Sequence, residues 1–311
     1  MAELNAAVHA AHPVGDLRTA DEMDRSFDDT WRVAAPARFA AFASGEIVAF
    51  GVLFPRVAAN PDHRMLMWGM VHPAFRRRGI GTELVRRALK AAPDLHARSF
   101  PATQALVVLE LQDLPGSGEI ARACGFEAGS HSFDMARALP RESAEFAPWI
   151  KAPGGNLMVG RFAPRHIEEL RQLHNESFVP DHPGAVPVPA DAWERRFSDP
   201  TFRQDLSFVM LNSDTREIAG YIFSNSANER TGPTGPREIR LSTITTRRGY
   251  RRRGIATALI GAALSNAVTQ GFEAASLEVD TDNPSGALRV YERAGFTVSH
   301  SATTYIRKID N

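Results

Sequence analysis

The chain has 311 residues, 43% hydrophobic and 23% charged, a composition that suits a globular protein long enough for two ordinary domains. Its 36 basic and 36 acidic side chains cancel, so there is no global positive field to gather nucleic acid, and arginine clusters read as local sites. The single cysteine, Cys124, excludes a disulfide framework and a cysteine-based metal site. The histidines show no metal-ligand spacing, and no apolar run reaches membrane length, so a cytoplasmic protein without metal is expected.

In chain order, Leu4–His9 and Arg18–Phe27 read as helical. Strands are expected at Ala37–Ala43, Ile47–Phe54 and Met65–Val71. An arginine- and glycine-rich loop then opens a helix over Ile80–Ala91, followed by strand Ala105–Leu111, a helix near Gly118–Ala123 and strand Glu127–Arg137. The segment Phe146–Gly155, rich in Pro and Gly, breaks periodicity and reads as a linker. Beyond it lie strand Asn156–Arg161, helix Pro164–Phe178 and a short helix near Ala190–Phe197. Next come strands Ser207–Leu211, Glu217–Phe223 and Glu238–Thr245, then a second arginine- and glycine-rich loop and helix Ile255–Gln270. Strand Ala275–Val279, helix Ser285–Ala294 and strand Thr297–Ile306 complete the order.

The second half repeats the first. Leu4–His9 matches Leu173–Phe178, and Arg18–Phe27 matches Pro189–Phe197. The match then runs out at Met1, which predicts a sheet edge in the first half that is short of one strand or covered by another element. The domains are therefore expected at residues 1–145, lacking a first strand, and 156–311, with residues 146–155 as linker.

The strongest element of the repeat is the loop. One copy reads Val71-His-Pro-Ala-Phe-Arg76-Arg-Arg78-Gly79-Ile80-Gly81-Thr82; the other reads Thr246-Arg-Arg-Gly-Tyr-Arg251-Arg-Arg253-Gly254-Ile255-Ala256-Thr257. Each follows a strand and opens a helix. Backbone N–H groups at a helix start, cleared by Gly79 and Gly254 and flanked by the forked donors of Arg76, Arg78, Arg251 and Arg253, suit a pyrophosphate. Gly81 and Ala256 keep the next turn clear. The plainer readings are a solvated basic helix entrance or a nucleic-acid patch; neutral net charge and the lack of interleaved aromatics disfavour them.

These residues resemble the GNAT superfamily of acyl-CoA-dependent N-acetyltransferases, whose fingerprint is Gln/Arg-x-x-Gly-x-Gly/Ala. A second signature of that family stands as Asn283…Tyr291-Glu-Arg-Ala-Gly295-Phe296. The resemblance covers nearly the whole chain as a tandem. It implies an α+β (mixed α/β) fold, twice over. Each copy would be a mixed, mostly antiparallel central sheet flanked by helices and splayed between its fourth and fifth strands. It implies acetyl-CoA as cosubstrate, with pantetheine between the splayed strands. Backbone groups of Thr245–Thr246 and Met70–Val71 would then face the acyl carbonyl, where an N–H could stabilise an oxyanion.

The halves differ where the resemblance places chemistry. Setting Gly125-Phe126 against Gly295-Phe296 puts Ala121 opposite Tyr291 and Asp113 opposite Asn283. By resemblance Tyr291 is the general acid for the departing thiolate and Asn283 a CoA contact, so the chemistry is expected in the C-terminal half. Taken alone, Tyr291 reads more readily as a packing residue on an apolar helix face. The candidate base is Glu238, with Glu278, Asp280 or a water as alternatives; each carboxylate also reads as solvent-facing. Cys124 is expected to be a buried, inert thiol. Pro183–Pro189 and Asn228–Pro236 read as loops near the acceptor mouth. The implied reaction is direct transfer of an acetyl group to the amine of a small molecule, with no nucleic-acid or membrane partner. A monomer whose two domains mimic a dimer is expected. A cysteinyl amino sugar and an antibiotic are the alternative acceptors. An acyl-CoA sensor or scaffold without turnover is the reading from a different class.

Overall fold

The computed structural model describes residues 1–12, 36–151, 154–182, 185–227, 235–281 and 286–309. Asn283, the expected helix Arg18–Phe27 and most of the loop Asn228–Pro236 lie outside these residues. The chain divides into two compact units. Unit 1 is Met1–Ser132 with His300–Asn311, and unit 2 is Phe133–Ser299.

In unit 1, helix α1 (Ala2–Ala11) precedes strands β1 (Ala37–Ala43), β2 (Glu46–Ala59) and β3 (His63–Val71). Helix α2 (Ile80–Ser99), strand β4 (Ala105–Gln112), helix α3 (Ser117–Ala123) and the start of strand β5 (Glu127–Ala138) follow. The strands β1, β2 and β3 pair antiparallel, and β3 and β4 pair in parallel from His63↔Ala105 to Met67↔Leu109. Helix α2 lays Leu84, Val85, Ala88 and Ala92 against Met65, Met67 and Leu109 of the sheet, as helical spacing predicts. It runs past the expected end at Ala91 because Leu95 and His96 are still buried in its last turns. The edge strand β1 pairs β2 as β7 pairs β8 below. No strand outside β1 is present among the described residues of this unit.

In unit 2 the elements are helix α4 (Ala147–Ile150), strand β6 (Leu157–Arg161), and helices α5 (Ile167–Ser177) and α6 (Ala190–Arg195). Strands β7 (Phe208–Asn212), β8 (Ile218–Ser226) and β9 (Glu238–Thr246) come next, then helix α7 (Ile255–Thr269) and strand β10 (Ala274–Asp280). Helix α8 (Ala287–Arg293) and the start of strand β11 (Thr297–Ile309) follow. From β6 to β9 the strands pair antiparallel in chain order. Strand alternation sends Tyr221 and Phe223 to a face covered by α5 and α6, and Ile222 to the face covered by α7. The register between β9 and β10 is parallel and ends at Arg240↔Ser276. Beyond it the two strands separate, so β9 runs on to Thr246 with one backbone edge turned away from any paired strand. The β3–β4 pair of unit 1 parts in the same way after Met67↔Leu109.

The compact units differ from the expected division at residues 146–155, for two reasons. First, the last strand of each half joins the other half. Residues 302–309 of β11 pair with β4 in unit 1, and the end of β5 lies in unit 2. Matching arginines secure the exchange. Arg307 donates to Cys124 O at the end of α3, and Arg137 donates to Ala294 O at the end of α8. Second, the expected linker is partly core. Phe146 is 0% exposed, and α4 packs on α7 so closely that a Cβ on Gly261 would lie 2.7 Å from Trp149 Cβ.

This contact gives a prediction with opposed terms. Gly261→Ala gains about 1 kcal/mol of helix propensity, whereas overpacking costs about 1–3 kcal/mol. The obstructing atom is a Cβ that cannot swing aside, so the overpacking cost wins. A lower urea midpoint for the variant is expected, and an unchanged or raised one would show that α4 yields.

Candidate active site

The two loops have the same conformation. Arg76 Nε donates back to Val71 O at 3.2 Å, and Arg251 Nε to Thr246 O at 3.3 Å. Arg77 and Arg252 both take positive φ, 60° and 62°. Gly79 and Gly254 follow at φ 81° and 75° as the residues that start α2 and α7, where a side chain would be strained. Arg78 lies over the Phe75 ring at 5.0 Å and Arg253 over Tyr250 at 5.4 Å. Neither helix start has a side-chain cap. The first N–H groups of each helix, those of Ile80, Gly81 and Thr82 and of Ile255, Ala256 and Thr257, therefore remain for a ligand. Both loops begin at the ends of strands whose parallel partners have splayed away, beside Met70–Val71 in one unit and Thr245–Thr246 in the other.

The arginines of the second loop divide their work. Arg251 is committed to the protein: its guanidinium also donates to Ser177 O at 3.0 Å and pairs with Asp181 at 2.7 Å. Arg253, stacked on Tyr250, keeps its forked donors clear of any ion pair among the described residues.

Tyr291 stands on α8 in the core with Ile255, Ala258, Val279 and Phe296, 8% exposed. Burial pushes its phenol up to about 12. At the matching place in unit 1, Ala121 is buried, and the nearby phenol comes instead from Tyr305 on the exchanged strand β11. Tyr305 lines an open cavity of about 380 Å³ with Leu111, Asp113, Ser117 and Arg122. The sequence reading missed Tyr305, because only the strand exchange brings it to α3.

The carboxylates lie elsewhere. Glu238 is 9% exposed and accepts a hydrogen bond from Ser276 Oγ where β9 and β10 are still paired. At about 3.3 Å per residue it is about 23 Å along the strand from Thr245. Glu278 pairs with Arg240 at 3.1 Å. Asp280 ends β10. Cys124 is buried, and burial raises its thiol pKa despite Arg86 and Arg307 nearby. Among the described residues no group of three or more His, Cys, Asp or Glu is placed to hold a metal ion.

The family model described as Acetyltransferase (GNAT) family matches residues 5–105 and 167–296, more than half of the sequence. The chain belongs to the GNAT acetyltransferase family. It is an N-acetyltransferase, with acetyl-CoA the cosubstrate that GNAT enzymes use. A curated relative, the mycothiol acetyltransferase of Mycobacteroides abscessus, is 27% identical over 265 residues, covering 84% of this chain and 81% of its own. That of Brachybacterium faecium is 29% identical, covering 74% of this chain and 64% of its own. Two solved structures share the fold. A GCN5-related N-acetyltransferase from Sphaerobacter thermophilus gives a TM-score of 0.75 at 20% identity, covering 100% of this chain and 92% of its own. A tandem GNAT protein from the clavulanic acid biosynthesis pathway gives 0.72 at 16%, covering 100% and 94%. Among the described residues no helix of this GNAT protein is long and apolar enough to cross a membrane.

The structure brings a second residue that the sequence reading did not single out to β9 of this GNAT chain. Arg196, just after α6, reaches Thr243 on the splayed part of β9. An arginine three residues after Trp193 carries no sequence signal of its own.

Proposed function

We propose that unit 2 transfers the acetyl group of acetyl-CoA to a primary amine by direct attack, and that unit 1 binds acetyl-CoA without turnover. The observation that carries this reading is the loop geometry repeated in both units, set against the helix position that is Tyr291 on α8 and Ala121 on α3. The diphosphate would lie on the N–H groups of Ile255, Ala256 and Thr257 with Arg253 beside it. The amine nitrogen attacks the thioester carbonyl carbon near Thr245–Thr246, and a backbone N–H there stabilises the oxyanion. The C–S bond breaks, and the Tyr291 hydroxyl gives its proton to the sulfur. The amine loses its proton to water; Glu238, buried and about 23 Å along the strand, is too remote to take it directly. Amide and free CoA leave, and Tyr291 recovers a proton from solvent.

Calorimetric titration with acetyl-CoA tests the reading. Two molecules per chain are expected, one after Gly254→Glu or Gly79→Glu, and turnover only where the Gly254 loop is intact. No binding at millimolar acetyl-CoA would remove the whole proposal. The similarity to mycothiol acetyltransferases favours a second reading of the acceptor, a cysteinyl amino sugar. Here the second loop, Thr246-Arg-Arg-Gly-Tyr-Arg251, departs from the wording expected of those enzymes. An antibiotic acceptor and a non-catalytic acyl-CoA sensor are the remaining alternatives. Release of thiol with any amine eliminates the sensor.

A further inference from the structure

Beneath α5 and α6, the face of β9 that carries Thr243 and Thr245 meets the aromatic side chains of Trp193, Tyr221 and Phe223. Arg196 donates from Nη1 to Thr243 Oγ1 at 3.0 Å and lies over the rings of Trp193 at 4.8 Å and Phe223 at 5.8 Å. Burial lowers its pKa, and the Tyr221 phenol is the one titratable group that opposes this. No carboxylate pairs with it among the described residues. The Thr245 hydroxyl, 4% exposed, has no partner at hydrogen-bonding geometry. The Tyr221 phenol is bonded to His174 Nδ1 at 2.8 Å and lies close enough to the Thr245 hydroxyl to feel it, so Tyr221 is the one polar neighbour Thr245 has on this face. A half-buried cation without a carboxylate partner, next to a buried hydroxyl that can still donate or accept, is a place where an oxygen anion would be stabilised.

We propose that Arg196 and Thr245 dock a carboxylate carried by the amine acceptor, which makes the substrate class short amino acids and related amines with one negative charge. This rests on the acetyltransferase reading of unit 2. A single guanidinium matches a monoanion, and a carboxylate fits its planar fork. His174 adds no charge, because burial holds it neutral well below physiological pH. Position also fits. Thr243 and Thr245 lie in the stretch of β9 beyond its last pairing with β10. They are about 6.6 Å apart along the strand, so a carboxylate at Arg196 stands a short carbon chain from an amine at Thr245–Thr246.

The test is acetyl transfer from acetyl-CoA to ω-amino acids, glycine to 6-aminohexanoate, against the matching ω-amino amides. Each rate is referred to the free-amine fraction. At one chain length at least, the acid is expected to exceed its amide tenfold or more in kcat/KM. Arg196→Gln should bring that ratio near one through the acceptor KM, Arg196→Lys should keep most of it, and Thr245→Val should reduce it. Acetyl-CoA affinity should be the same in the wild type and the two Arg196 variants. A ratio near one throughout the wild-type series, or a ratio that survives Arg196→Gln, overturns the proposal. If Arg196→Gln does not fold, a ratio unchanged in both Arg196→Lys and Thr245→Val overturns it. A protein that binds no acetyl-CoA overturns the acetyltransferase reading as well; one that binds it and acetylates amides as fast as acids overturns only the carboxylate site.

Discussion

Replacing Tyr291 with phenylalanine is expected to lower kcat by about two to four orders of magnitude while leaving acetyl-CoA affinity within about threefold. The phenol sits in an apolar environment that holds it protonated up to about pH 12, so it can donate at every pH at which the enzyme is folded. A thiolate whose conjugate acid lies near 8.5 gains from such a donor as the C–S bond breaks, and only then, which is why the loss should fall on kcat. The ring stays in Tyr291→Phe, so its contact with Phe296, 6.5 Å between centroids, is kept and no cavity opens. Stability should therefore be unchanged or slightly raised. Steady-state kinetics with a thiol-release assay, together with a thermal melt, separate the alternatives. Equal loss of kcat and acetyl-CoA affinity, or no loss of kcat, would return Tyr291 to a packing role. A fall in melting temperature would mean that the hydroxyl has a structural partner.

Element type and order were readable from the sequence because the strands alternate and the helices carry contiguous apolar faces. The strand exchange was not. Arg137 and Arg307 occupy matching places on β5 and β11, each donating to the carbonyl that ends the other half's helix. A sequence with two such strands satisfies the same local contacts whichever sheet each enters, so periodicity cannot choose. The backbone of the loop was readable because its glycines and its place between strand and helix determine it. The destination of Arg251 was not, since Ser177 and Asp181 approach it from an element far away in sequence. Glu238 was correctly placed at the start of β9. That the strand opens only after Arg240 is a tertiary property, and it leaves Glu238 in the paired stretch, about 23 Å along the strand from Thr245.

Acid should unfold unit 2 through His174, and His174→Gln should weaken that dependence. His174 is 5% exposed, stacked on Phe178 at 4.5 Å and tilted against Trp193 at 5.0 Å. Burial first, then the charges of Arg196 and His182, depress its pKa to about 3. In the unfolded chain the imidazole titrates near 6.5, so between these values the unfolded state binds the extra proton. The stabilisation is therefore complete above about pH 6.5 and is lost as pH falls toward 3. It amounts to roughly 5 kcal/mol at the lower end, taking about 1.4 kcal/mol per pH unit. That is as large as the whole stability of many domains. Urea midpoints at pH 7, 5 and 4, followed by far-UV circular dichroism, should fall steeply in the wild type. Glutamine keeps an amide for the Tyr221 hydroxyl and does not titrate, so the variant's midpoints should fall less. Burial also depresses His63 and His166, so a residual slope remains and the difference between the two proteins is the readout. Parallel curves would mean that His174 is already charged in the folded protein.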